Sequence, residues 1–410
     1  MARVTVLGGC GVVGGVVVRT LAKTLDFDTI IIGDYNKEKA DKMATELGEK
    51  VVARFCDAND VSSIKNTIKD SDIVVNCIGP YYKYEKPILS AVIDEKKNYV
   101  DVCDDTEPTY QALEMDDAAK EAGITALIGM GSSPGVTNML ASYAANDLLE
   151  QCDSIDMFHT HGGEPNEGAA VIGHRFYCMS NPIPVFLDGK AMKINPDESK
   201  QLEEDVEFIN LEGKHRVYPY PHPEPITLPM YIKGVKRVTN KGNVLPKEYY
   251  DLTRQIHKCG LSSKEPVIVG GKEVIPHEFA IAYLIQQRDK ILEEVSFGEP
   301  RGCVKIVVKG KKKGTEEGRT YVFSLVSEGA GKGGGLGEAT GIPAAFGAIL
   351  MQRGKISRKG VVPPEACVNP MDFISTMKEV LEVSDSDSSK RSPIIFQSID
   401  DEGNVKTLKF

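Results

Sequence analysis

Residues 4–14 read VTVLGGCGVVG, an apolar run that breaks into glycines and then resumes with helical spacing. Inside it, Gly9-Cys10-Gly11-Val12-Val13-Gly14 is a G-x-G-x-x-G motif placed after a strand and at the opening of a helix, the context in which that spacing signals a dinucleotide. Gly9 permits the tight turn, Gly11 lets the backbone approach a pyrophosphate, and Gly14 lets helix and strand pack closely. The helix N-terminus then offers unpaired N–H groups to the phosphates. A second apolar strand, Thr29–Gly33, ends in Asp34, 20 residues beyond Gly14, where an acidic side chain takes the ribose 2′-hydroxyl of NAD. A carboxylate there repels a 2′-phosphate, so charge favours NAD, while Lys37 and Lys39 leave NADP open.

Outward from the loop, short apolar strands alternate with helices through the first 130 residues. Strands are expected at 3–7, 29–33, 51–56, 73–77, 99–102 and 124–128, and helices at 14–25, 37–47, 61–69, 86–95 and 110–122. Strands apolar on both faces belong to a buried parallel sheet, so this part is an α/β, doubly wound Rossmann domain. Ligands of such sheets lie beyond the carboxyl ends of the strands. That places Cys77, Gly79 and Pro80, and the run Asp101–Asp105, at the same crevice as the glycine loop, with Asp57 toward the adenine edge. From about residue 150 period-2 segments dominate, at 154–160, 184–187, 206–208, 303–309 and 320–326, with helices at 247–259 and 278–294. This predicts an α+β second domain built on an antiparallel sheet. Five prolines between Tyr218 and Pro229 predict an extended loop, and the glycine-rich stretch 329–341 leads into an apolar helix ending at Gly354.

Composition narrows the function classes. The 410 residues carry 49 basic and 59 acidic side chains, a net of −10, which argues against nucleic acid and membrane surfaces as partners. The nine cysteines show no C-x-x-C spacing and no paired framework, which fits a reducing cytoplasm. The apolar N-terminus lacks a basic region and a cleavage site, and no apolar run reaches membrane-spanning length. His159, His161 and His174 share a strand-rich region, but no carboxylate or cysteine pattern completes a ligand set, so no metal is expected.

Several segments resemble the saccharopine dehydrogenase-like (saccharopine reductase-type) oxidoreductases, a family that includes lysine dehydrogenase-like members. They are VTVLGGCGVVGG, GDYNKEKA, VVNCIGP, YVDVCDD, GMGSSPGVTNMLA at 129–141, FLDGKAMKI at 186–194, TGIPAAFGAILMQRGKI at 340–356 and KGVVPPE at 359–365. The resemblance implies a split Rossmann domain: 1–140 binds the dinucleotide, 141–336 forms the substrate and dimerisation domain, 337–383 returns to the Rossmann domain, and 384–410 is a linker with a C-terminal hairpin. It also implies hydride transfer between NAD(P) and a carbon bearing nitrogen, on a lysine-like, saccharopine-like or opine-like amino acid, and a homodimer. A carboxynorspermidine-type polyamine imine reductase and a catalytically silent dinucleotide-binding scaffold are the alternatives.

Such chemistry requires a carboxylate anchor and a group that manages a proton. A carboxylate is matched by an arginine fork, for which Arg175 and Arg237 are candidates, with Asn138 beside them in the P-G-x-x-N segment; each arginine is equally placed for an ion pair. Asp104 and Asp105, past the fifth strand, can meet a substrate ammonium or act as base, or can cap the next helix. Tyr81, after the Gly79-Pro80 turn, can donate a hydrogen bond or simply pack.

Overall fold

The computed structural model describes residues 1–163, 167–328, 336–381 and 394–410. The glycine-rich stretch 329–335 and the polar linker at 384–389 lie outside them. Six strands of the first sheet fall where their apolar runs place them: β1 (Arg3–Leu7), β2 (Thr29–Asp34), β3 (Val51–Phe55), β4 (Ile73–Asn76), β5 (Asn98–Asp101) and β6 (Thr125–Leu127). Helices α1 (Val12–Ala22), α2 (Lys37–Leu47), α3 (Val61–Ile68), α4 (Tyr81–Asp94), α5 (Thr106–Leu113) and α6 (Asp116–Glu121) connect them. The chain then runs through α7 (Val136–Tyr143), β7 (Leu149–Gly162), α8 (Ala169–Ser180), β8 (Ile183–Leu187), β9 (Lys190–Ile194), β10 (Glu204–Glu207), β11 (Lys214–Pro219) and α9 (Glu224–Tyr231). There follow β12 (Arg237–Leu245), α10 (Lys247–Lys258), the hairpin β13 (Val267–Val269) and β14 (Lys272–Val274), α11 (Pro276–Glu294), β15 (Arg301–Lys312) and β16 (Gly318–Glu328). Last come α12 (Leu336–Gln352), β17 (Gly360–Val362), α13 (Pro364–Cys367), α14 (Pro370–Val380), β18 (Ile394–Ile399) and β19 (Val405–Leu408).

The first sheet is parallel throughout, in the order β17-β6-β5-β4-β1-β2-β3. It therefore has a seventh strand, too short to stand out in the sequence, which late chain adds beside β6. The order reverses between β1 and β4, and that switch point opens the crevice in which doubly wound sheets take ligands. The second sheet is mixed rather than antiparallel: β7 pairs in parallel with β12 along residues 154–162 and in antiparallel with β15. Both partners of this long strand come from far along the chain, and local alternation carries no strand direction.

Three helix boundaries differ from expectation. Helix α4 begins at Tyr81 and contains Pro87; the proline is half-exposed, and the Lys83 carbonyl it leaves unpaired lies at an exposed position. The span expected to be one helix at 110–122 is two, α5 and α6, hinged at Met115. The proline-rich segment is only partly an extended loop, because Pro223 and Pro225 open α9 from its first turn, where a missing N–H costs no helical bond.

Helix α12 lies against α1. A Cβ on Gly337 would stand 2.7 Å from Val12 Cγ1, and one on Gly341 2.8 Å from the Val13 carbonyl. The other side of α12 reaches β4 and β5 and places Phe346 in one apolar core that runs from Val6 and Val100 through Met139 to Ile306 and Phe323 of the second sheet. The two sheets thus share a core, and the space enclosed beside it holds the candidate site.

Candidate active site

At the switch point the loop after β1 is drawn tightly into helix α1. A Cβ on Gly14 would lie 2.2 Å from the Gly8 carbonyl oxygen, so only glycine fits there, whereas one on Gly11 would meet nothing closer than that oxygen at 3.2 Å. Gly11 and Val12 are exposed, no side chain caps α1, and its first turn holds no acidic residue. Unpaired N–H groups at an open, uncharged helix start suit a pyrophosphate. Asp34 closes the far side: Oδ2 accepts the Cys10 N–H at 2.8 Å and Oδ1 accepts that of Asn36 at 2.9 Å. Lys39 Nζ donates to the Cys10 carbonyl at 2.8 Å, so a cation flanks the same turn as the carboxylate. Burial, with the Asp34 charge adding to it, pushes the Cys10 thiol up to about 11 and keeps it neutral. These residues fit a dinucleotide. Gly79 and Pro80 are exposed beyond β4 with Cys77 half-buried beneath them, while Asp57 bonds the backbone and amide N–H groups of Asn59.

The loop after β5 is anchored by Asp101, whose Oδ1 accepts the N–H groups of Cys103 at 2.9 Å and Gly129 at 2.7 Å. It carries Asp104 to the wall of a cavity of about 520 Å³ between α12, α8 and the second sheet, with Asp105 buried behind it. His174 of α8 answers them, with Nε2 at 3.9 Å from Asp104 and Nδ1 at 3.7 Å from Asp105. Burial opposes protonation of this ring, but the Cys178 sulfur and the two carboxylates outweigh it and hold His174 up near 10. Burial, with Asp104 beside it, pushes Asp105 up to about 6. Among the described residues these three donor atoms form the one cluster compact enough for a cation, lying within 4.8 Å of one another. With an imidazolium in the middle, the cluster keeps a single negative charge at the cavity wall.

Next to His174, Arg175 is 4% exposed and bonds Glu167 through Nη2, with the guanidinium 5.7 Å from the Tyr249 ring centroid. Its Nη1 is buried with no hydrogen-bond partner among the described residues. A buried donor left open is costly, and Arg175 is among the residues that line the cavity. Opposite stand His159 of β7 and His222. The His159 ring fits only because β12 has glycine beneath it; a Cβ on Gly242 would sit 1.9 Å from its Cε1. Burial, reinforced by the neighbouring histidines, drives His159 down to about 3, so it stays neutral.

The structure thus brings Asp104, Asp105 and Arg175 to one place and leaves three expected site residues outside it. Arg237 bonds Asp156 through Nε at 2.8 Å on the β7–β12 pair and does not line the cavity. Asn138 is fully buried, accepting the Gly135 N–H that starts α7 and donating to Glu365 at 3.0 Å. Tyr81 donates to the Asn76 carbonyl at 3.2 Å and packs on the core instead of facing the cavity. Sequence reading passed over His222 and Glu224, in the proline-rich stretch, and took His174 as structural. His174 stands directly before Arg175 in the sequence, but nothing local tells that the aspartates beyond β5 meet it.

Comparisons with known proteins agree with this geometry. Residues 4–127 match the saccharopine dehydrogenase NADP binding domain family. A carboxyaminopropylagmatine dehydrogenase from Synechocystis sp. is 25% identical over 404 residues, covering 93% of this chain and 96% of the relative. A carboxynorspermidine synthase from Vibrio alginolyticus is 26% identical over 405 residues, covering 91% and 94%. The apo saccharopine dehydrogenase (L-Glu forming) of Saccharomyces cerevisiae has the same fold, with a TM-score of 0.67 over the whole of both chains at 16% identity. Among the described residues no helix is long and apolar enough to cross a membrane. With a glycine loop fitted to a nicotinamide dinucleotide and relatives aligned almost end to end, the chain is an NAD(P)-dependent oxidoreductase that is similar to the saccharopine dehydrogenase-like enzymes and carries their type of dinucleotide-binding domain at residues 4–127.

Proposed function

We propose that the chain transfers hydride at the C–N bond of a carboxylated polyamine, the class to which the names carboxynorspermidine and carboxyaminopropylagmatine belong. One observation carries this reading. Among the described residues lining the cavity, Arg175 is the single arginine or lysine, and it stands with Asp104 and Glu338. One guanidinium fork matches one carboxylate, and the acidic groups match ammonium or guanidinium ends. A saccharopine-like substrate, with several carboxylates, asks for more than one free cation, and the two other basic rings of the cavity, His174 and His222, are already paired with Asp104 and Asp105 and with Glu224. In the proposed complex Arg175 Nη1 takes the carboxylate, Asp104 and Asp105 take a protonated amine, and the reacting carbon faces the crevice of the glycine loop. A bound nicotinamide cofactor supplies or accepts the hydride there, held by Gly9–Gly14 and Asp34.

The choice of dinucleotide turns on two side chains. The matched family is named for NADP, and Lys39 is the cation a 2′-phosphate requires. Asp34 favours a free 2′-hydroxyl. Dissociation constants for both reduced dinucleotides separate them.

The test is oxidation of reduced cofactor in mixtures of an amine with a carboxylated amino-aldehyde, followed by mass spectrometry of the product. Diamines or agmatine are expected to support turnover that lysine with a 2-oxo diacid does not. Turnover with lysine and the oxo diacid alone would return the assignment to a saccharopine-like substrate, and cofactor binding without turnover of any pair would leave a silent scaffold.

A further inference from the structure

We infer that His222 and Glu224 form the acid–base pair that delivers a proton to the substrate nitrogen. The inference rests on the C–N reading above and adds the group that reading lacks. Glu224, at the start of α9, is 0% exposed. Its Oε2 meets His222 Nδ1 at 2.6 Å and accepts from Asn240 at 3.1 Å, and its Oε1 accepts from Ser133 at 2.5 Å and Thr137 at 3.2 Å. A buried carboxylate is costly to desolvate unless its lone pairs are all engaged, and here four donors engage them. The carboxylate is therefore a fixed anion that orients the ring, so Glu224 is a positioning residue. With Nδ1 tied, Nε2 is the nitrogen His222 has left for the cavity it lines.

The chemistry follows from that geometry. Reduction of a C=N bond adds a hydride to carbon, breaking the C–N π bond, and a proton to nitrogen. The hydride comes from the reduced nicotinamide, which is oxidised. The proton leaves Nε2 of the His222 imidazolium, whose Nδ1–H stays on Glu224, and the neutral ring regains a proton from solvent through the cavity. In the oxidative direction the same nitrogen accepts the proton. Burial works against charging His222, but the Glu224 charge and hydrogen bond prevail and raise it above the ordinary histidine range; Glu224 itself is brought down to about 2 by the same partner and Ser133, against its burial. The other titratable groups around the ring are Tyr220, whose ring centroid lies 6.0 Å away and whose phenol is pushed well up by burial, His159 and His161 of β7, His174 of α8, and Asp104 and Asp105 beyond β5. Of these, Asp105 loses its proton near pH 6 and His159 is neutral, so neither is a proton donor above neutrality.

The experiment uses the full chain and whichever carboxylated polyamine pair the screen identifies, measured in the reductive direction across pH. For His222→Asn, whose amide keeps a donor toward Glu224, kcat is expected to fall about 100-fold with cofactor affinity unchanged. The alkaline limb of its pH profile disappears. For Glu224→Gln, which keeps most hydrogen bonds but removes the anion, the alkaline limb is expected to move down by about one pH unit or more, because a neutral partner no longer favours the imidazolium. A limb set by His174 or Asp105 would not follow Glu224→Gln. An unmoved limb in Glu224→Gln, or a His222→Asn enzyme within about threefold of wild type, overturns the inference while wild-type turnover keeps the C–N reading. A wild-type protein that reduces no imine fails at the earlier step.

Discussion

Replacing Arg175 by lysine tests the carboxylate anchor directly. The guanidinium is proposed to have two tasks: Nη2 holds Glu167, and Nη1, which has no hydrogen-bond partner among the described residues, takes the substrate carboxylate. Arg175→Met would strip Glu167 of its closest cation and cost about 3–5 kcal/mol of stability, as breaking a buried ion pair does. Lysine keeps a charge for Glu167, which also retains Arg288 Nε at 3.4 Å, but has no second arm. What disappears is one charge-assisted hydrogen bond to the substrate, worth about 1.5–3 kcal/mol. At about 1.4 kcal/mol per tenfold, KM should rise by roughly 10- to 150-fold. A group that binds ground state and transition state alike leaves kcat within a few-fold. The assay is steady-state kinetics at saturating cofactor, repeated with an analogue in which hydrogen replaces the carboxylate. Wild type and variant should handle that analogue equally poorly. An unchanged KM for the carboxylated substrate, or an equal penalty on both substrates, would refute the argument that Nη1 is open for a carboxylate.

Three further outcomes follow from the same structure. Gly11→Val should abolish binding of reduced cofactor, seen as lost fluorescence enhancement, with an unchanged circular dichroism spectrum, because the added Cβ meets only the Gly8 carbonyl oxygen, at 3.2 Å, within the protein; retained binding would move the cofactor elsewhere. Asp34→Ala should improve NADP relative to NAD by about tenfold or more, and adding Lys39→Ala should cancel much of that gain; equal ratios in all three proteins would remove both side chains from dinucleotide choice. Glu365 is pushed from 4.5 up to about 7, by burial first and the Glu224 charge next. Its folded state therefore resists ionisation, and the stability it costs is absent below about pH 4.5 and grows as pH rises toward 7. A shift of that size corresponds to about 3 kcal/mol, so Glu365→Gln should gain on wild type in urea midpoint between pH 5 and pH 8, and parallel pH curves for the two would contradict the buried, neutral carboxyl.

The parts of this molecule that could be read in the sequence are those whose causes are local. The strand–glycine–helix unit at 4–14 and Asp34 declare themselves because turn, helix start and strand end lie within one βαβ unit, and each residue's requirement is met by its neighbours. The direction of β12 is different: its parallel pairing with β7 depends on where α9 and the preceding hairpin deliver the chain, which alternation of side chains does not encode. Arg175 and Arg237 illustrate the same divide within one residue type. Both sit in apolar, strand- or helix-forming contexts, yet one faces Glu167 and a cavity while the other faces Asp156 on an adjacent strand, and only the tertiary pairing separates them. The candidate acid–base pair was hidden twice over. Prolines at 219–229 favoured a loop, although prolines in a first turn serve equally well to start a helix. Moreover, the groups that keep Glu224 ionised come from Ser133, Thr137 and Asn240, up to 91 positions away. A glutamate two residues from a histidine in a proline-rich segment carries no signal by itself; its chemistry exists only once three separate elements have closed around it.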